Sequence, residues 1–245
     1  MKKILVLILF MFSFFAQAEI TIIGKPKELL STKKFLGKEY YTGTPGDLNQ
    51  EAAYDRSENF AIGIKTFKGW NKDFLAKFVR NYGTLVFTGK QKDLSVENMD
   101  FLFKNYSSTW IVLENKEDWS LKKLDEFIGT PAGDKGKILY KGAPSKDSGL
   151  SLWLYKNAPA VTIQINQKKW NHEGFLKKFV AEKKGHVYYT SVPEERHYKW
   201  LLENAKSIMI SEDLIRSWKT PYRFIVNFTK EGGIIEGGKE VLENP

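Results

Sequence analysis

The chain has 245 residues, 42% hydrophobic and 14% aromatic, with a formal charge of +9 and no cysteine. That apolar content supports one large domain or two small ones, each with its own core. The missing cysteines exclude disulfides, thiol nucleophiles, thiol redox chemistry and thiolate metal sites.

In chain order, the first element is a leader. Lys2 and Lys3 precede an apolar run from Ile4 to Phe15, broken only by Ser13, and Ala16-Gln17-Ala18 supplies small residues before a cut. This order of charge, apolar core and cleavage site is that of a signal peptide, with residues 1–18 removed and Glu19 as the mature N-terminus. The run is shorter than the roughly 20 residues a retained membrane helix needs. The expected location is therefore the periplasm, with no membrane span left after cleavage. Loss of two lysines leaves the mature chain at +7. Its lysines are interspersed with Glu and Asp, the pattern of a solvated face rather than of a nucleic-acid stripe.

Residues 19–36 form an N-terminal segment, and from Gly37 the chain repeats itself. Gly37-Lys38-Glu39-Tyr40-Tyr41-Thr42-Gly43-Thr44-Pro45 returns as Gly136-Lys137-Ile138-Leu139-Tyr140-Lys141-Gly142-Ala143-Pro144. Trp70-Asn71 returns as Trp170-Asn171, Gly83 to Thr88 as Gly185 to Thr190, Glu117-Asp118 as Glu212-Asp213, and Thr130-Pro131 as Thr220-Pro221. The matches keep one order, so the chain reads as two copies of one unit, 37–135 and 136–245, the second ending in a tail.

Each copy predicts the same elements. Ile62, Ile64 and Thr66, like Val161, Ile163 and Ile165, alternate as in a strand. Asn71 and Asn171 suit a helix N-terminus. Phe74, Leu75, Phe78 and Val79 make one apolar helical face, which Gly83 ends. Short strands follow at Leu85–Phe87 and Val187–Tyr189, then second helices around Phe101 and Trp200. Third strands fall at Thr109–Leu113 and Ser207–Ile210, and third helices at Leu121–Phe127 and Leu214–Trp218. Residues 145–158 read as a surface hairpin or loop, and Tyr222 to Phe228 as a closing strand. The expected class is α/β: two tandem units with mixed sheets covered by helices on both faces.

Chemistry-bearing motifs are absent. His172, His186 and His197 match no zinc spacing and read as surface or capping residues. No nucleophile elbow or phosphate loop occurs. The acids at Glu117-Asp118 and Glu212-Asp213 suit helix N-termini better than an acid–base pair. No catalytic residue, metal or cofactor is therefore expected. Trp70 and Trp170 recur at the first strand–helix junction, where they serve either as core braces or as a partner-binding surface.

The strand, acidic loop and helix over residues 207–218, followed by Thr220-Pro221, resemble the C-terminal part of a thioredoxin-like fold. More narrowly, Gly185 to Pro193 and Ser211-Glu212-Asp213-Leu214 resemble the TraW and TrbC families of F-type conjugation systems. That resemblance implies a cis peptide before Pro221, a thioredoxin-like fold without its redox cysteines, and a periplasmic role in pilus assembly within type IV secretion. The expected protein is a binding or assembly factor with another exported protein as partner and no nucleic-acid ligand. A cysteine-free periplasmic hydrolase, or an immunity protein against a secreted toxin, are the alternatives.

Overall fold

The computed structural model describes residues 33–129, 136–142, 148–166, 169–219 and 221–236. Residues 1–18, expected to be a leader, and Thr130-Pro131 and Thr220 lie outside them, so the Thr220–Pro221 bond is not described. Ten strands form one sheet whose spatial order is the chain order. They are β1 (Lys34–Phe35), β2 (Lys38–Tyr41), β3 (Phe60–Ile64), β4 (Thr84–Phe87), β5 (Thr109–Leu113), β6 (Lys137–Tyr140), β7 (Val161–Ile165), β8 (His186–Tyr189), β9 (Ile208–Ile210) and β10 (Ile234–Ile235). β1 and β2 pair as an antiparallel hairpin, and every later pair is parallel.

Helices fill the crossovers: α1 (Gln50–Asp55), α2 (Lys72–Arg80), α3 (Val96–Lys104), α4 (Leu121–Ile128), α5 (Ser148–Lys156), α6 (His172–Leu176 and Lys178–Glu182), α7 (Tyr198–Glu203), α8 (Glu212–Ser217) and α9 (Tyr222–Lys230). Their caps follow the sequence. The Asn71 side chain accepts from the Asp73 and Phe74 amides, and Ser95 and Ser120 cap α3 and α4 in the same way. An uncapped start costs about 1 kcal/mol.

The helices pack on one face of the sheet. Phe60, Ile62 and Ile64 of β3, Leu85 and Phe87 of β4 and their equivalents along the sheet share one core with Phe78, Phe127, Phe179 and Phe228 from the helices. The opposite face has a separate, smaller core made by Phe35, Ala61, Val86, Val112 and Leu139. No helical residue enters it; the β1–β2 hairpin supplies Phe35 instead. With helices on one side only, the sheet curls around its bare face.

This corrects the expectation of two tandem units with helices on both faces. β6, which opens the second copy, pairs with β5 on one side and β7 on the other. From β3 onward, strands begin every 22 to 28 residues, at Phe60, Thr84, Thr109, Lys137, Val161, His186, Ile208 and Ile234. The repeated segments therefore lie four strand–helix steps apart within one continuous sheet, with β2 matching β6, β3 matching β7 and β4 matching β8. The thioredoxin-like arrangement also needed a strand after Pro221. Residues Tyr222–Lys230 are helical instead, with Phe224 and Phe228 buried four apart on one face. Pro221 precedes the first turn, where its missing N–H costs nothing. Residues Ser148–Lys156 are likewise a helix rather than a hairpin, burying Leu150, Trp153 and Leu154.

The repeats have a steric origin. A Cβ on Gly83 would stand 2.5 Å from the Phe78 ring, and on Gly185 2.2 Å from Phe179; Gly136 with Phe127 and Gly233 with Phe228 show the same contact. Helices α2, α4, α6 and α9 thus each carry, near their end, a Phe whose ring lies over the glycine leading into the next strand. Gly185→Ala is expected to lower stability by about 1–3 kcal/mol, as overpacking does, measured by urea denaturation. An unchanged midpoint would show that the ring can yield.

α6 differs from its counterpart α2 because Gly174 is inserted between the cap and the first core phenylalanine. The extra residue widens the turns, so Leu176 N–H reaches the Asn171 carbonyl and Lys183 N–H that of Lys178, both five residues back.

Candidate functional site

A curled parallel sheet presents its carboxyl edge as a mouth, the position where such folds hold ligands. Here a cavity of about 410 Å³ opens there, lined by Gln164 and Tyr188 of the later strands, by Thr190 and Ser211 just past β8 and β9, by Asp213 of α8, and by Lys34 and Tyr40 from the hairpin. Phe35 and Leu139 form its apolar floor. Period-two alternation turns Leu139, Gln164 and Tyr188 to the bare face while Ile138, Ile163 and Tyr189 face the helices.

Glu236, just past β10, is 3% exposed. One of its oxygens accepts from the Gly37 amide at 2.9 Å, and the other from the Tyr188 hydroxyl at 2.8 Å. This carboxylate joins the hairpin turn to the far end of the sheet. Burial, and then the Glu236 charge, raise the Tyr188 pKa, so its proton stays on and is donated. Burial also pushes Tyr40 up to about 12. The Tyr40 ring lies against Gly63, where a Cβ would stand 2.5 Å from its hydroxyl. Gln164 Nε2 donates to Thr190 Oγ1 at 3.1 Å, and Thr190 donates to the Ile165 carbonyl. Lysines 34 and 141 and Asp213 bring both charge signs to this mouth.

The residues singled out from sequence lie elsewhere. Trp70 and Trp170 are 9% and 5% exposed and belong to the helix-side core. Trp170 meets Tyr140 edge-on at 6.3 Å and Phe175 at 5.9 Å. Both indoles act as braces, leaving little apolar area to offer a partner. His172 and His197 are not surface or capping residues. They are 5% and 7% exposed and stack at 3.6 Å, with Tyr189 and Trp200 around them. His186 alone is exposed. No group of three or more His, Asp or Glu among the described residues could hold a metal ion, and no helix among them is long and apolar enough to cross a membrane.

No family model, curated protein or solved structure matches the chain. The site therefore stands on its own geometry. Sequence reasoning missed it because its residues come from steps about 25 apart, each with an ordinary strand identity.

Proposed function

We propose that the protein is an exported binding protein that holds a small polar molecule carrying both charge signs, of the amino-acid or dipeptide class, in the carboxyl-edge mouth. The observation that carries this reading is the 410 Å³ cavity walled by Gln164, Thr190, Tyr188 and Ser211, with lysines and Asp213 at its margin. Binding is favoured over chemistry because the most reactive groups there are already engaged. Both Glu236 oxygens accept hydrogen bonds, and the Tyr188 proton is committed to one of them. Export is supported by the leader-like order of residues 1–18. A pilus-assembly role rests on the short sequence motifs alone.

Calorimetry of the mature chain against a panel of amino acids and dipeptides tests this. A binder should lose about tenfold in affinity in Thr190→Val or Lys141→Met, the worth of one hydrogen bond to a charged or polar group. Lys206→Met, at the opposite edge of the sheet, should leave its affinity unchanged. The reading fails if no panel member binds, or if binding is indifferent to both mouth variants.

A further inference from the structure

The curl has a second opening, at the amino edge of the strands. A chamber of about 310 Å³ lies there, its wall mainly apolar, with Leu36, Trp110, Met209 and Ile234 contributing. Leu36 belongs to the hairpin turn and Ile234 to the last strand, so the chamber lies where the two ends of the curl approach. The Leu36 backbone is left-handed, with φ of 48°, followed by Gly37 at 87°. A bulky residue in that region is costly, yet it keeps an isobutyl group at the chamber wall. Ile234 is 51% exposed despite lining the same space. An apolar wall kept accessible in this way is unfilled core.

The charged side chains that line it have one sign. Lys137, His186 and Lys206 line the chamber, and no carboxylate does. The ion pairs of the described residues include neither Lys137 nor Lys206. Lys137 is held over the Trp110 ring at 5.6 Å. Lys38, nearby on β2, has its pKa lowered by burial and then by the charge of Lys137, with Glu58 opposing them. Burial and Lys137 also lower the His186 pKa, so its ring is neutral at pH 7. Among the described residues, the chamber lining is thus mainly apolar, with positive charge and no carboxylate.

We infer that this chamber binds the anionic head and alkyl chain of a medium-length fatty-acid carboxylate, the head near Lys137 and Lys206 and the chain against Leu36, Trp110, Met209 and Ile234. Its volume equals roughly ten water-sized units, which matches a chain of about eight to ten carbons. Binding here is independent of the polar mouth at the carboxyl edge. It requires no bond to form or break.

Isothermal titration of the mature protein with hexanoate, octanoate and decanoate, below their micelle concentrations, tests the inference. Affinity should rise about fourfold per added methylene, the transfer free energy of one buried CH₂ expressed as a ratio. Decanol, which has the chain without the charge, should bind at least tenfold more weakly than decanoate. Lys137→Met keeps the aliphatic stem and removes the charge; it should weaken decanoate about tenfold and leave decanol unchanged. Thr190→Val, in the opposite mouth, should change neither. The wild-type ligand comparison needs no variant, so a misfolded Lys137→Met does not rescue the idea. Absence of decanoate binding, equal affinities for decanoate and decanol, or no gain with chain length would each overturn it.

Discussion

Trp170→Ala is expected to lower the stability of the chain by about 3–5 kcal/mol, the usual cost of deleting a buried tryptophan. In a chain of this size that is a fall in Tm on the order of 10 °C. The indole is 5% exposed and fills space between Tyr140 and Phe175. Its Nε1 is buried without a hydrogen-bond partner among the described residues, so no described polar contact is lost with it. Trp170→Phe should therefore cost much less, about 1–2 kcal/mol, because it deletes only part of the ring volume. Urea denaturation of both variants checks the pair. Equal, small losses would mean that the indole is not a brace and would return it to consideration as a contact surface.

Acid should weaken the fold through His172. Its Nδ1 stands 3.0 Å from the Trp170 carbonyl and its Nε2 2.7 Å from the Tyr189 hydroxyl. Nδ1–H therefore donates, and Nε2 accepts from Tyr189, whose pKa burial raises. Protonating His172 would turn Nε2 into a donor, so the Tyr189 hydroxyl would have to give up its own donation and accept instead. Burial first, then the stacked His197 and Arg196, hold its pKa at about 4 instead of 6.5; the Trp170 carbonyl and Glu173 oppose them. His197 is lowered as well, by burial and Arg196 against Glu194 and Glu173. A lowered folded-state pKa means that the unfolded chain takes up the proton first. The stability due to the neutral ring is full above pH 6.5 and is lost as pH falls toward 4. The loss is on the order of 3 kcal/mol for His172. Denaturation at pH 7.5, 5.5 and 4.5 would show it as a slope that His172→Gln reduces. An identical slope in that variant would place the acid sensitivity elsewhere.

Much of the fold was readable at the level of single elements. Asn71 and Asn171 marked helix starts, and Gly83 and Gly185 marked helix stops, because capping and close packing act between near neighbours. The matched segments also repeat one contact, Tyr41 over Gly43 and Tyr140 over Gly142. What sequence could not resolve was how the repeats join. Two separate sheets and one continuous sheet have the same local pattern; the difference lies in β6 pairing on both sides. Tyr222 to Phe228 misled because Ile225 and Val226 favour a strand, while Phe224 and Phe228 sit four apart and pack as a helix. The histidine pair was hidden for another reason. His172 and His197 meet only because α6 and the turn before α7 follow neighbouring strands. The two chambers depend in turn on the curl, which no local signal encodes.

The carboxylate of Glu236 has a consequence for how the molecule assembles. Each strand pairs with its neighbour in sequence, so the sheet grows by closing short loops of about 25 residues, the kind of local contact that folds quickly. The Gly37–Glu236 bond joins residues 199 apart. Closing that span in an unfolded chain costs about 2 kcal/mol more than closing one step, three doublings of loop length. The contact gains little until the intervening strands have formed and brought the ends together. Glu236→Gln should accordingly leave the refolding rate nearly unchanged and raise the unfolding rate, the signature of a bond made after the transition state. The ends of this sheet meet last on the way in and part first on the way out.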